Sequence, residues 1–99
     1  MENRMAEILL AISHPNRIRI LEALKKGNIL CACEILPMLG LEQSNLSRHL
    51  TTLVKAGVLI SWKEGVRMNY KIADKRIYDL IDLASQIVKG KSQVIASRA

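Results

Sequence analysis

"LEQSNLSRHLTTLVKAG", residues 41–57, holds the pattern on which the fold turns. Leu46, Leu50, Leu53 and Val54 recur at helical spacing, which predicts a helix over Glu42–Ala56 with one apolar face, ended by Gly57. At about 100° per residue, Ser44, Ser47, Arg48, Thr51 and Lys55 gather on the opposite side. That side carries hydroxyls and two cations and no carboxylate, whereas a merely solvated helix face alternates acids with bases. Just upstream, Ile35, Leu36 and Leu39 followed by Gly40 predict a short helix over Cys31–Leu39, its regularity limited by Pro37. A turn of about three residues between the two helices has the spacing of a helix-turn-helix.

Working outward, Met5, Ile8, Leu9 and Ile12 place a first helix over Asn3–Ile12. In "SHPNRIRILEALKKGN", Ser13 is a candidate cap, Pro15 sits in the first turn where its missing N–H costs nothing, and Gly27 follows the last turn, giving a second helix over Pro15–Lys26. Beyond Gly57 the period drops to two. Ile60 and Trp62, then Val66, Met68, Tyr70 and Ile72, alternate with polar residues, so two strands are expected, joined at Glu64-Gly65 as a hairpin turn. From Asp74 the helical period returns in Ile77, Leu80, Ile81, Ala84, Ile87 and Val88 and ends near Gly90, leaving "KSQVIASRA" as a frayed tail. The expected fold is mainly α with a small β-hairpin, in the order α-α-α-α-β-β-α. One domain spans residues 1–91, with a tail over 92–99.

A chain of 99 residues leaves room for one small domain, and small domains bury a lower fraction of their surface than large ones. The apolar stripe from Ile77 to Val88 is wide for a terminal helix with so little core to cover it, so a second copy of the chain is the expected partner. The longest apolar run, Ile8 to Ile12, is far too short to span a membrane, and Glu2 and Glu7 stand where a secretory signal is basic. The cytoplasm is therefore the expected location, with no membrane partner. Net charge is +6, from 15 basic and 9 acidic residues. Residues 43–71 hold Arg48, Lys55, Lys63, Arg67 and Lys71 against the single acid Glu64, so four of the six surplus charges fall in one stretch and favour nucleic acid.

Reading base edges takes short polar side chains near the start of a recognition helix and a guanidinium that can bond guanine bidentately. Gln43, Ser44, Ser47 and Arg48 meet that need, with Thr51 on the same face. Lys55 and Lys63 are candidates for phosphates, which fix register without carrying sequence information, and Arg67, near the hairpin tip, for an adjacent minor groove or the backbone. His49 lies beside the leucine face, where a half-buried hydrogen bond steadying the helix is the expected role, and Trp62 and Tyr70 are expected to pack rather than stack on bases. G-x-S-x-G, P-loop and HExxH motifs and paired carboxylates are absent, and Cys31 has no credible general base, so an enzyme is not expected.

"HPNRIRILEAL", "LEQSNLSRHLTTLVKAGVL" and "KEGVRMNYKI" together resemble the winged helix-turn-helix repressors of the ArsR/SmtB family, over roughly residues 5 to 80. The resemblance implies a homodimer joined through the first and last helices, bound to a palindromic double-stranded DNA operator and released by an inducer. It also bears on "LCACEIL", residues 30–36, which is similar to the "ELCVCDL" box through which metal- and metalloid-responsive members bind their inducer; Cys31 and Cys33 match its two cysteines. A third thiolate often follows three residues later, and here that residue is Leu36. Two thiolates still suit a soft ion, so no resident cofactor is expected and a thiophilic metal or metalloid is the implied inducer. The family's second sensory site, of His and acidic residues on the last helix, has no counterpart, since Asp79 and Asp82 are its only such groups. Two other readings of the cysteines stay open. Thiols in the first turn of a helix gain thiolate character and with it redox reactivity, although residues two apart in regular helix point to nearly opposite sides and oppose a disulfide. Free cysteines also pack as small hydrophobes, in which case the domain binds DNA or protein without sensing.

Overall fold

The computed structural model describes the backbone of residues 1–98 and the side chains of residues 1–90. Five helices, α1 (Glu2–Ile12), α2 (Pro15–Ala23), α3 (Ala32–Leu39), α4 (Gln43–Lys55) and α5 (Arg76–Arg98), surround a sheet of β1 (Leu30–Cys31), β2 (Leu59–Glu64) and β3 (Arg67–Ile72). The strand order is β1-β3-β2 and both pairings are antiparallel. The helix-turn-helix stands where the sequence places it, and so does the β2–β3 hairpin apart from its turn.

Four details differ. The sheet has three strands rather than two, because Leu30 and Cys31 pair with Tyr70 and Asn69; a two-residue strand is too short to show any alternation. The second helix ends at Ala23, and Lys25–Gly27 tighten into a 3-10 turn in which Lys26 takes a positive φ of 63°. His14, not Ser13, caps α2: its Nδ1 accepts from the Asn16 N–H at 3.1 Å, while Ser13 closes α1. Finally, α5 runs to Arg98, through the stretch expected as a tail. A glycine inside a helix costs only about 1 kcal/mol relative to alanine, so Gly90 alone does not stop it.

The core gathers Ile20, Leu21 and Leu24 of α2, Ile35 and Leu39 of α3, Leu46, Leu50 and Leu53 of α4, and Ile77 and Ile81 of α5. Helix α4 is closed by a Schellman turn, in which the Val58 N–H donates to Leu53 O at 2.9 Å and the Gly57 N–H to Val54 O at 3.0 Å. Gly57 takes the φ of 81° that this turn requires, and Val58 and Leu53, the residues the motif brings together, are both fully buried. The cap thereby fixes the exit into β2 as well as the rotation of α4. Tyr78 donates its hydroxyl to Leu24 O and anchors the start of α5 to the end of α2.

Leu50→Ala deletes a side chain that is 1% exposed and is expected to cost about 2–5 kcal/mol of folding stability, whereas Thr51→Ala on the outer face should stay within about 0.5 kcal/mol. Urea unfolding of both variants at one fixed protein concentration checks the contrast.

Candidate nucleic-acid interface

Packing the leucines of α4 inward turns the other side of the helix out. Gln43, Ser44, Ser47, Arg48, Thr51 and Lys55 are all exposed, and α4 contains no acidic residue. The Thr51 hydroxyl donates to Ser47 O at 2.9 Å, so its outward capacity is that of an acceptor and a methyl group; Thr52 does the same to Arg48 O at 3.0 Å. Ser44, Ser47 and Arg48 keep their side chains free of such bonds among the described residues.

The inner flank of α4 is held by a polar bracket. Arg17 donates from Nε to His49 Nδ1 at 3.2 Å and from Nη1 to the carbonyls of Ala11 at 3.3 Å and Leu10 at 3.5 Å, which ties the end of α1 to the middle of α4. His49 is half-buried, as its place beside the leucines predicts, and its ring lies 4.6 Å from that of His14. Burial first, then the neighbouring charges of His14, Arg17 and Arg48, hold its pKa below the usual histidine value. The neutral ring is the form that can accept from Arg17.

In the wing, Gly65 and Val66 form the two-residue turn between the paired residues Glu64 and Arg67, so the turn lies one residue further on than Glu64-Gly65. Gly65 alone takes a positive φ, 61°, the pattern of a type II′ turn, and Val66 projects fully into solvent. Lys63 is exposed and takes part in no ion pair among the described residues. Arg67 is different. Its Nη2 meets Glu34 Oε1 at 2.5 Å, although both side chains remain about half exposed, so the arginine expected at DNA is engaged by α3 in the free protein. Glu34 also accepts from the Cys31 N–H at 3.0 Å, and that bond, followed by Arg67, keeps its carboxyl below the usual range.

The cysteines stand at the same junction. Cys31 belongs to β1 and is the N-cap of α3 in extended conformation, with φ −84° and ψ 163°; Cys33 lies in the first turn. The two are joined as a disulfide with Cα atoms 5.2 Å apart. Regular helix would separate them, but with Cys31 outside the helix the Cβ atoms converge, and that junction supplies the local departure from regularity that such a bond needs. Cys31 is 1% exposed and Cys33 is open to solvent. Cys33 shares a cavity of about 350 Å³ with Gln43 and Ser47 of α4, so the candidate sensor and two candidate base readers adjoin.

Two contributors escape a reading by periodicity, Arg17 and Glu34, whereas Tyr70, expected to pack, is a half-buried neighbour in the same cavity. Only Glu34 carries a sequence signal, because the third position after an N-cap is where a capping-box glutamate sits.

A helix-turn-helix with an uncharged-to-cationic outer face, followed by a β-hairpin beside it, defines a winged helix DNA-binding regulator. A family profile described as "Bacterial regulatory protein, arsR family" matches residues 14–61. The HTH-type transcriptional regulator MJ1325 of Methanocaldococcus jannaschii is 36% identical over 84 residues, covering 85% of this chain and 94% of its own. The cadmium resistance transcriptional regulatory protein CadC of Listeria innocua is 34% identical over 85 residues, covering 86% of this chain and 69% of its own. Among solved structures, Rv0081 of Mycobacterium tuberculosis superposes with a TM-score of 0.77 at 37% identity, covering 95% of this chain and 91% of its own. A homodimeric winged helix-turn-helix domain from Mycobacterium bovis shares the fold, with a TM-score of 0.77 at 23% identity over 88% of this chain and 80% of its own. The chain belongs to the arsR family and is a DNA-binding transcriptional regulator. Among the described residues no helix is long and apolar enough to cross a membrane.

Because folded His49 binds its proton less readily than an unfolded histidine near ~6.5, the unfolded chain takes up more protons as the pH falls through that value. Stability from this group is therefore full above about pH 6.5 and is lost below it, down to the lowered folded pKa. His49→Gln, which keeps an acceptor for Arg17, should flatten that acid-side decline, as read by thermal melts across the pH range.

Proposed function

We propose that the protein is a dimeric repressor that reads a palindromic operator with α4 and leaves it when a signal engages Cys31 and Cys33. The observation that carries the DNA half is the carboxylate-free outer face of α4, from Gln43 to Lys55, turned out by a buried leucine face. Gln43, Ser44, Ser47 and Arg48 are assigned to base edges, with Thr51 as an acceptor beside them, and Lys55 and Lys63 to phosphates. Arg67 joins the DNA by exchanging the Glu34 carboxylate for a phosphate or a minor-groove edge. That exchange links the wing to the residue that caps α3 behind Cys31.

Dimerisation rests on what α1 and α5 leave uncovered. Met5, Leu9 and Leu10 of α1 and Leu83, Ile87 and Val88 of α5 are exposed apolar side chains, and Leu9, Ile12, Leu80 and Val88 border a groove of about 420 Å³ between the two helices. A twofold mate covers this surface and sets two copies of α4 for two half-sites.

For the signal, a thiophilic metal or metalloid held by the two thiolates is favoured by the converging sulfurs and by the similarity to a cadmium resistance regulator. Oxidation is the second reading, and the paired sulfurs are the specific observation in its favour. Either event acts on the first turn of α3, which the Cys31–Asn69 pairing joins to the wing strand β3.

Arg48→Ala should weaken binding to the protein's own promoter fragment more than to random DNA, whereas Lys55→Ala should weaken both and lower the salt slope by about 1. Fluorescence anisotropy over a salt series measures both, and equal losses for Arg48→Ala on the two DNAs would remove its base-reading role. The Cys31→Ser, Cys33→Ser double variant should bind DNA normally yet ignore arsenite, cadmium and peroxide. Leu83→Glu with Ile87→Glu should sediment as a monomer with unchanged helical content.

A further inference from the structure

We propose that Cys33 is a thiolation site: it exchanges with a low-molecular-weight disulfide and seats the resulting adduct in the cavity between α3 and α4. The inference deepens the thiol-sensor reading above and rests on it. Its first support is the asymmetry of the pair. Cys31 is 1% exposed, whereas Cys33 is open to solvent and faces a cavity of about 350 Å³, so an incoming molecule meets one sulfur and not the other. The second support is the lining. Leu36 and Leu46 give it apolar walls while Gln43, Ser47 and Tyr70 add hydrogen-bonding groups, which suits a small peptide-like thiol carrying amide or carboxylate groups better than a purely apolar ligand.

A third support lies in the backbone. Pro37 has no N–H to offer Cys33 O, so the turn that carries Cys33 lacks one helical hydrogen bond and yields to an adduct at lower cost. In the reduced protein the thiolate form of Cys33 is the attacking species. That thiolate attacks one sulfur of the small disulfide. A bond forms between it and Cys33 Sγ, the disulfide's own S–S bond breaks, and the departing thiolate takes up the proton that Cys33 has lost. Cys31 Sγ then attacks Cys33 Sγ, expels the second small thiol and leaves the Cys31–Cys33 bond seen in the structure. While the adduct is in place it covers Gln43 and Ser47, two of the proposed base readers, so operator affinity falls at the thiolation step itself.

The test uses reduced wild type and the Cys31→Ser and Cys33→Ser variants, with glutathione disulfide as the probe. Intact mass and peptide mapping should find one glutathionyl group on Cys33 of Cys31→Ser, formed more than about tenfold faster than any adduct on Cys31 of Cys33→Ser, since burial shields that sulfur. The trapped adduct should bind the promoter fragment at least about tenfold more weakly than unmodified Cys31→Ser, a loss of about 1.4 kcal/mol. Leu36→Phe, which fills the cavity, should slow glutathionylation while leaving alkylation of Cys33 by iodoacetamide unchanged. Equal rates on the two cysteines, an adduct that leaves DNA affinity intact, or a Leu36→Phe variant that reacts as fast as wild type would each overturn the proposal. Loss of DNA by wild type with cadmium or arsenite, without any Cys33 adduct from glutathione disulfide, would overturn the adduct alone; the same loss in the double serine variant would remove the thiol sensor.

Discussion

The burial of one face of α4 is the constraint from which the rest of the structure follows. Leu46, Leu50 and Leu53 are each essentially inaccessible, and burying a leucine is worth about 1.5–3 kcal/mol relative to leaving it in water. A rotation of α4 that turned these three outward would forfeit several kcal/mol and bury Arg48 and Lys55 besides, which costs more still. The Schellman turn at Gly57 locks the far end of the helix in the same orientation, and the Arg17–His49 bond holds its flank. The outward direction of Ser44, Ser47, Arg48 and Thr51 is thus a consequence of apolar packing and not of any attraction to DNA.

The second organising feature is the junction where β1 becomes α3. Here one short segment pairs with the wing through Cys31 and Asn69, caps the first helix of the helix-turn-helix, carries both sulfurs, and holds Arg67 through Glu34. In the proposed reading, a change in the state of the cysteines would act on the cap of α3 and on the wing arginine together. The exposed Arg67–Glu34 pair contributes little stability, so the exchange for DNA proposed above would cost little.

What could be read from the sequence follows from how strongly each element is written in its side chains. Helix α4 and the hairpin are specified by long runs of one period, so their identity and outward faces were legible, as was the half-buried place of His49. Strand β1 was not, because two residues show no period and Leu30 and Cys31 are chosen by a partner about forty positions away. Capping by His14 was hidden behind Ser13, a stronger intrinsic N-cap, since the choice depends on where the chain turns. Gly90 suggested an end to α5, but its cost is small beside what the rest of a long helix supplies. At the site, exposure of the eight expected DNA-facing residues was predictable from α4 and the wing, whereas the hold of Glu34 on Arg67 needs three dimensions. The Cys31–Cys33 pairing was opposed by regular geometry and becomes feasible only because Cys31 sits outside α3.

The most direct test of the central claim, that packing of α4 presents a reading face, is to map backbone amide shifts by NMR as a duplex containing the promoter sequence is added. The account predicts that perturbations concentrate on Gln43, Ser44, Ser47, Arg48 and Thr51 and on the wing from Lys63 to Arg67, with α1 and α5 little affected. Perturbations centred on α1 and α5, with residues 43–55 unmoved, would contradict it.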